Sequence, residues 1–167
     1  MIAEVSLLLE KFDNLENLLF DFGELSGQLS SADLELIDET QIILNARENI
    51  ITQIKILKPE ITEIIDKQST EKAASIRKML IGETVMADFS EDEKAVQVKI
   101  INIRSLQNEI MKKEVGNQMR YKRKYEEVRG ELENLQKEKK KLNFYQQTTR
   151  VADGGTGRKG GQFDSQN

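Results

Sequence analysis

The stretch Ser90–Tyr145, SEDEKAVQVKIINIRSLQNEIMKKEVGNQMRYKRKYEEVRGELENLQKEKKKLNFY, decides the fold of this chain. It contains no proline, and its apolar residues recur at steps of three and four, as on one face of a helix. Ser90 followed by Glu93 predicts a capping box at the helix start. Such a helix would be on the order of 80 Å long. We therefore expect the rest of the chain to consist of helices that fold back along it.

The apolar stripe of this long helix has two parts. The first part comprises Val96, Ile100, Ile103, Leu106 and Ile110, and the second comprises Tyr121, Tyr125, Val128, Leu132, Leu135 and Leu142. The register shifts between about Asn117 and Tyr121, and such a shift marks the end of one packing partner or a change of supercoil. The two earlier helices are too short to cover the whole stripe. We therefore expect its distal part to be under-packed in an isolated monomer.

Residues 2–29 predict a first amphipathic helix that frays near Gly23 or Gly27. Ser30, Ser31 and Asp33 are the N-cap candidates of a second helix. Short connections between helices make neighbouring helices antiparallel.

The second helix contains the one proline of the chain, Pro59, where we expect the helix to stop or kink. Because no turn cluster accompanies the proline, the pattern favours one kinked helix over two separate helices. Gly82 is a suitable C-terminal cap for it.

These elements predict an all-α protein. Its fold is an elongated antiparallel helical hairpin or bundle of three to four helices, with one very long C-terminal helix and a disordered tail. Residues 1–147 form the helical bundle and coiled-coil domain. Residues 148–167 are rich in glycine and poor in apolar side chains, which predicts disorder.

The composition excludes several kinds of chemistry. The chain has no cysteine and no histidine, so it has no thiolate nucleophile, no Cys/His zinc site and no imidazole base. The acidic clusters Asp38–Glu39 and Glu91–Glu93 lie at helix starts or exposed faces, where they suit the helix dipole. Gly155–Gly160 matches GxGxxG but lacks the strand and helix that a dinucleotide site requires. We expect no enzyme, no cofactor and no metal site.

The N-terminus lacks the features of a signal peptide, and no uncharged apolar run is long enough to span a membrane. The sequence therefore predicts a cytoplasmic protein. Residues 1–66 carry four Lys and Arg against fourteen Asp and Glu, whereas residues 67–167 carry twenty-one against fifteen. Acidic early helices packed against a basic late helix would explain this gradient. The alternative is a partner of opposite charge.

The late helix carries a basic segment between Lys112 and Lys141, interleaved with Tyr121 and Tyr125. Basic and aromatic side chains together are typical of nucleic-acid binding. Glutamates are mixed through the same segment, however, and mixed signs along a helix are typical of a solvated face with i to i+4 pairs. Nucleic acid is therefore the weaker alternative.

The distal stripe is the best candidate site, because it could receive an amphipathic helix from another chain. The alternatives are the seam of a homodimer or packing on the protein's own helices. The candidate partner-binding residues are Tyr121, Tyr125, Val128, Leu132, Leu135, Leu142, Phe144 and Tyr145.

The layout of acidic amphipathic helices, a long final helix and a loose tail resembles the flagellar type III export chaperones of the FlgN and FliT kinds. Four short sequence segments also resemble this family: ADLELI (32–37), RENIITQI (47–54), KKKLNFY (139–145) and GQFD (161–164). The resemblance spans most of the chain.

The resemblance implies a cytoplasmic chaperone that binds the terminal helix of an exported flagellar subunit and prevents its premature assembly. The client would be a hook–filament junction protein or the filament cap protein, and the chaperone would bring it to the export apparatus. This family places client contacts on its C-terminal helix. The competing interpretation is a structural coiled-coil protein whose long helix self-associates.

Overall fold

The computed structural model describes residues 2–85 and 89–153, and within them every regular element is an α-helix and there is no strand. Four helices follow one another: α1 (Ile2–Ser31), α2 (Ile37–Asp66), α3 (Thr70–Ile81) and α4 (Glu91–Asp153). The predicted all-α class with one very long C-terminal helix is therefore confirmed. Contacts along the chain divide it into two compact units, Met1–Tyr121 and Lys122–Asn167.

The hydrophobic core lies in the first unit, and all four helices contribute to it. Phe12 is a fully buried member of this core. The apolar steps of three and four place these side chains on one face of each helix, so that they pack together. The core comprises Leu8, Phe12, Leu15, Leu19, Leu57, Ile61, Ile64, Ile65, Ala73, Ile76, Met79, Val96, Ile100 and Ile103.

Charged contacts show how the helices of the first unit run. The ammonium of Lys11, early in α1, lies 2.6 Å from Glu60, late in α2, so these helices are antiparallel as predicted. Lys99 of α4 contacts Asp13 and Glu16 of α1 at 2.6 and 2.7 Å. Farther along both helices, Asn117 bonds to the Ser26 carbonyl, so α4 runs parallel to α1.

The prediction of one kinked helix through residue 82 is wrong, because the chain breaks elsewhere. α2 continues through Pro59 and ends at Asp66, and α3 begins at Thr70. A proline inside a helix costs roughly 3 kcal/mol, but the buried side chains on both sides of Pro59, from Leu57 to Ile65, hold the helix together. The break falls at Lys67–Ser69. Gly82 caps α3 in the left-handed conformation, as predicted.

The expected fraying of α1 is also absent, since the helix continues through Gly23 and Gly27 to Ser31. α4 packs against both glycines: a Cβ on Gly23 would lie 3.5 Å from the side chain of Ile110. Ser30 and Ser31 bond to carbonyls of α1 and do not cap α2. α2 has Leu36 at its N-cap without a side-chain cap.

α4 begins with the predicted capping box. The Ser90 N–H donates to the Glu93 carboxylate at 2.9 Å, and the Glu93 N–H donates to the Ser90 hydroxyl at 3.4 Å. The helix extends through Asp153, so the expected boundary between residues 147 and 148 falls inside it. The rest of the predicted tail, with the GxGxxG match, lies outside the described residues. Within them, no helix has the length and apolar character needed to cross a membrane.

Candidate functional site

Of the stripe residues from Tyr121 onward, five lie on α4 in the second unit: Tyr125, Val128, Leu132, Leu135 and Leu142. The name distal stripe is kept for these five below. Its side chains range from 41% exposed at Val128 to 70% exposed at Tyr125. Every side chain from Glu131 to Arg150 is exposed. These residues are helical without the burial that normally stabilises a helix of a folded protein, as the under-packing argument predicted.

The distal stripe follows a heptad repeat. Val128, Leu135 and Leu142 lie seven residues apart, and Tyr125 and Leu132 form a second row that precedes Val128 and Leu135 by three residues. This is the a and d spacing of a coiled coil, with Tyr125 and Leu132 at a and the other three at d. Lys139 occupies the next a position and interrupts the apolar row. The stripe therefore has the pattern that recognises another helix, with one charged layer.

Phe144 and Tyr145, two of the predicted partner-binding residues, are 64% and 67% exposed. Neither occupies an a or d position of the heptad. Their rings contact each other edge to face, with centroids 6.2 Å apart. They could extend a contact surface beside the stripe but not the seam itself.

Tyr121 differs from the other predicted site residues because it is the last residue of the first unit. Its side chain is half-buried, and its hydroxyl is buried without a hydrogen-bond partner. Burial raises the pKa of this hydroxyl above its ordinary value, while the nearby charges of Arg120 and Arg47 oppose the shift. The structure thus assigns Tyr121 to the end of the folded core.

Part of the predicted basic segment serves the fold of the first unit. Arg120 donates at 2.9 Å to the carbonyls of Leu29 and Ser30 and also bonds to that of Ala32. α1 has no basic residue in its own last turn, so Arg120 supplies the positive charge that its C-terminal carbonyls favour. Lys113 donates to the Gly23 carbonyl at 3.1 Å. The side chains of Lys113 and Arg120 are therefore engaged with carbonyls of α1 and are not free for phosphate binding.

A polar cluster between α1, α2 and α4 was not predicted. Asn117 is 3% exposed and donates to the Ser26 carbonyl at 3.1 Å, while the Ser30 hydroxyl donates to its side-chain oxygen at 2.7 Å. Arg47 of α2 pairs with Glu114 of α4 at 2.5 Å. One signal was available: the small residues of FGELSGQLSS (22–31), spaced so that another helix can approach closely.

The Arg47 guanidinium also lies over the Phe22 ring, 4.7 Å from its centroid. Its side chain is 11% exposed, and its Nε has no hydrogen-bond partner. Breaking such a pair leaves a buried charge, which costs more than the pair contributes. The cluster therefore sets which residues of α4 lie beside α1 and α2.

A second exposed apolar row, Met111, Val115 and Met119, lies on α4 within the first unit. These side chains are 54% to 64% exposed and follow one another at four-residue steps. The sequence analysis did not single them out. Their uniform four-residue steps do not match a heptad seam, in which the steps alternate between three and four residues.

The acidic clusters considered for catalysis are placed as follows. Asp38 and Glu39 are exposed in the first turn of α2. Glu93 completes the capping box and pairs with Lys72 at 2.9 Å. Among residues 2–85 and 89–153, no group of three or more acidic side chains converges as a metal site would require.

Comparison with known proteins adds one similarity. Synaptonemal complex protein 1 of Arabidopsis thaliana is 27% identical over 134 residues, which cover 76% of this chain and 15% of that protein. The chain thus spans about 15% of the length of the curated relative it matches. No family model and no solved structure matches the chain.

Proposed function

We propose that this protein works by helix–helix recognition, with the distal stripe receiving an amphipathic helix from another polypeptide chain. One observation carries the proposal. Five apolar side chains at a and d positions are 41% to 70% exposed on a continuous helix. Exposed apolar surface rimmed by charge is typical of a protein-interaction site.

Such binding needs neither a nucleotide nor a metal. A partner helix with apolar residues at matching positions gains stability when both stripes leave water, at about 25 cal/mol for each Å² of apolar surface. The glutamates and lysines beside the stripe would then set the partner's orientation. Release requires only a competitor for the same stripe.

The finer form of the proposal is a cytoplasmic flagellar export chaperone. It rests on the resemblance of the chain to the FlgN and FliT kinds, and on the location of the stripe in the C-terminal helix. The client would be a hook–filament junction protein or the filament cap protein, whose assembly helix carries an apolar face. Covering that face would prevent assembly until the client reaches the export apparatus.

A structural self-associating coiled coil is the alternative that the heptad spacing favours. A protein of this kind would form an oligomer whose fraction rises with protein concentration. Nucleic-acid binding is weaker still, since Lys113 and Arg120 are engaged with carbonyls of α1. If it occurred, it would weaken steeply with added salt.

The first test is co-purification with the flagellar junction and cap subunits of the same source, followed by size-exclusion chromatography with light scattering. We expect a one-to-one complex with one subunit. Leu132→Asp together with Leu135→Asp should weaken it by at least about a hundredfold, since each charge in the seam costs about tenfold or more. Asn134→Asp with Gln147→Asp makes the same charge change off the stripe and should leave binding intact.

Equal binding by the seam variant and its control would show that the stripe is not the site. A protein that ignores every subunit but oligomerises with concentration would support the structural coiled coil instead. Both variants must keep the wild-type helical circular dichroism for either comparison to count.

A further inference from the structure

We propose that the distal stripe is occupied by a helix of a different protein, which carries lysine or arginine along the edge facing Glu131 and Glu138 and a carboxylate in the layer of Lys139. This partner chemistry rests on the proposed function, because it concerns the same stripe. The side chains that specify it all lie on α4 within the second unit.

Two rows of side chains flank the apolar seam. With Tyr125 at a and Val128 at d, Glu131 and Glu138 occupy g positions on one side of the seam, and Lys124 holds the g position one heptad earlier. The e positions on the other side hold one cation and two amides: Arg129, Gln136 and Asn143. From Glu131 onward, the seam therefore has one acidic edge and one edge without a carboxylate.

The charges of the acidic edge are available to a partner. Arg129 of the opposite edge already bonds to Glu133 of its own helix at 3.1 Å. Within the part of the chain that the structure describes, Glu131, Glu138 and Lys139 form neither a hydrogen bond nor an ion pair, and all three are exposed. A helix docked on the stripe would partly remove water from these groups. It compensates that loss best by placing opposite charges beside them.

Lys139 specifies one layer of the seam, between the layers of Leu135 and Leu142. A docked helix places one of its own seam residues opposite this lysine. The methylene stem of Lys139 can cover an apolar residue there, and a carboxylate would in addition pair with the ammonium. A cation would be repelled strongly, because the neighbouring layers are apolar. A carboxylate is therefore the residue that fits this layer best.

A second copy of this chain does not supply these charges. In a parallel, in-register pair, Lys139 faces its own copy inside the seam. In the antiparallel pair that fills every layer, Leu132 faces Leu135, and Glu131 then faces Glu138 on both flanks. Shifting that pair by one heptad brings Glu131 or Glu138 opposite its own copy. Like charges therefore meet in each of these pairs, which favours a different chain as the partner.

Synthetic peptides of three heptads, with leucine at a and d, test this chemistry. Matched peptides carry lysine in the row that faces Glu131 and Glu138 and glutamate in the layer that faces Lys139, in one version for each helix direction. Reversed peptides exchange these lysines and glutamates. We expect the tighter matched peptide to bind the full-length protein at least about tenfold more tightly than the tighter reversed peptide, because three attractions replace three repulsions. Fluorescence anisotropy at low ionic strength measures both affinities, with each peptide at a concentration where it is monomeric.

Exchanging the same charges in the protein should reverse the preference. With Glu131→Lys, Glu138→Lys and Lys139→Glu together, the reversed peptide should become the tighter ligand. The control variant makes the same three charge changes at solvent-facing b and c positions: Glu126→Lys, Glu127→Lys and Lys140→Glu. It should keep the preference for the matched peptide. Both variants must keep the wild-type helical circular dichroism.

Two results would overturn the proposed partner chemistry. The first is equal binding of matched and reversed peptides, or a preference that survives the charge exchange in the protein. The second is a dimeric mass of the free protein by light scattering that Leu132→Asp with Leu135→Asp converts to a monomeric mass, because a second copy would then cover the stripe.

The failure of this inference is distinguishable from that of the proposed function. If matched and reversed peptides bind equally well and Leu132→Asp with Leu135→Asp abolishes both complexes, the stripe receives a helix and only the partner's charges are wrong. If no peptide binds and these substitutions leave every candidate client bound, the stripe is not a helix-binding site and the proposed function is wrong as well.

Discussion

Gly82 is the position where a single residue most clearly determines local structure. Its φ is +92°, a conformation that other residues adopt at a cost of roughly 1 to 2 kcal/mol. A side chain there would also collide with the guanidinium of Arg104. Gly82 thereby ends α3 and lets the chain turn towards the start of α4.

We therefore expect Gly82→Ala to lower the free energy of unfolding by at least about 1 to 2 kcal/mol. The matched control is Gly116→Ala, in the interior of α4, where an added Cβ meets nothing within 4 Å. That change should raise the free energy of unfolding by about 0.5 to 1 kcal/mol, because glycine weakens helix interiors. Urea unfolding followed by circular dichroism measures both. Equal effects of the two substitutions would contradict this account of Gly82.

Arg120 shows how one side chain connects distant parts of the chain. It reaches the last carbonyls of α1, which are otherwise the unsatisfied acceptors of a helix end. In the sequence it is one cation among many between Lys112 and Lys141. Only the packing of α4 beside α1 separates it from its solvated neighbours.

At the scale of the helix, the start of α4 depends on Glu93. This carboxylate accepts from the Lys72 ammonium and from the Ser90 N–H, and both bonds favour its charged form. The Lys72 bond, and after it the Ser90 N–H, lower the pKa of Glu93 below its ordinary value. The lowered pKa means that Glu93 stabilises the fold above its unfolded-state pKa, and that this contribution disappears as the pH falls through its folded-state pKa.

We expect Glu93→Gln to lower the free energy of unfolding at pH 7 by up to about 1 kcal/mol, because the amide can still accept from the Ser90 N–H but no longer forms the ion pair with Lys72 or favours the helix dipole. The difference from wild type should vanish in acid below the folded-state pKa, where the wild-type carboxyl is also neutral. Ser90→Ala is the control, because it removes a cap hydroxyl that does not titrate and should destabilise at both pH values. Urea unfolding from pH 7 to pH 3 measures this. A difference that persists unchanged in acid would contradict it.

α2 shows that burial outweighs local preference over the length of an element. Pro59 removes one backbone donor, yet the helix continues because Ile61, Ile64 and Ile65 are buried beyond it. The chain breaks after Asp66, where Lys67 and Ser69 face solvent and no core contact would be lost. The sequence predicted one kinked helix through Pro59 to Gly82, and the break at Lys67–Ser69 was therefore missed.

At the scale of the whole chain, the core cluster and its partly buried neighbours all lie before residue 111. Among the described residues, polar contacts between α4 and α1 reach as far along α4 as Arg120. From Glu131 to Arg150 every side chain is exposed, and Arg129 forms an i to i+4 pair with Glu133. The first unit therefore contains what a stable fold requires.

We expect a fragment comprising residues 1–121 to unfold cooperatively with a Tm within about 4 °C of the full chain, which corresponds to about 1 kcal/mol or less. Differential scanning calorimetry at low protein concentration measures this. A fragment of residues 1–109 is the control, because it also lacks Ile110, Asn117 and Arg120 and should have a clearly lower Tm. A fragment 1–121 that does not fold would show that the second unit stabilises the first.

The sequence alone determined the features that depend on nearby residues. The all-α class, the capping box of Ser90 and Glu93, the glycine cap at Gly82 and the exposed distal stripe follow from spacing within one or two helical turns. The identity of a binding partner stays a prediction, because a heptad stripe specifies a helix and not which chain provides it.

Tertiary structure decided what depends on residues far apart in the chain. Asn117 and Arg120 meet carbonyls of α1 about ninety positions earlier, and Arg47 meets Glu114 across two helices. These contacts stabilise α1 as a helix at Gly23 and Gly27. In α2, the buried residues on both sides of Pro59 stabilise the helix through the proline. The physical reason is that local preferences amount to about 1 kcal/mol per residue, whereas packing adds many contacts that no local pattern reveals.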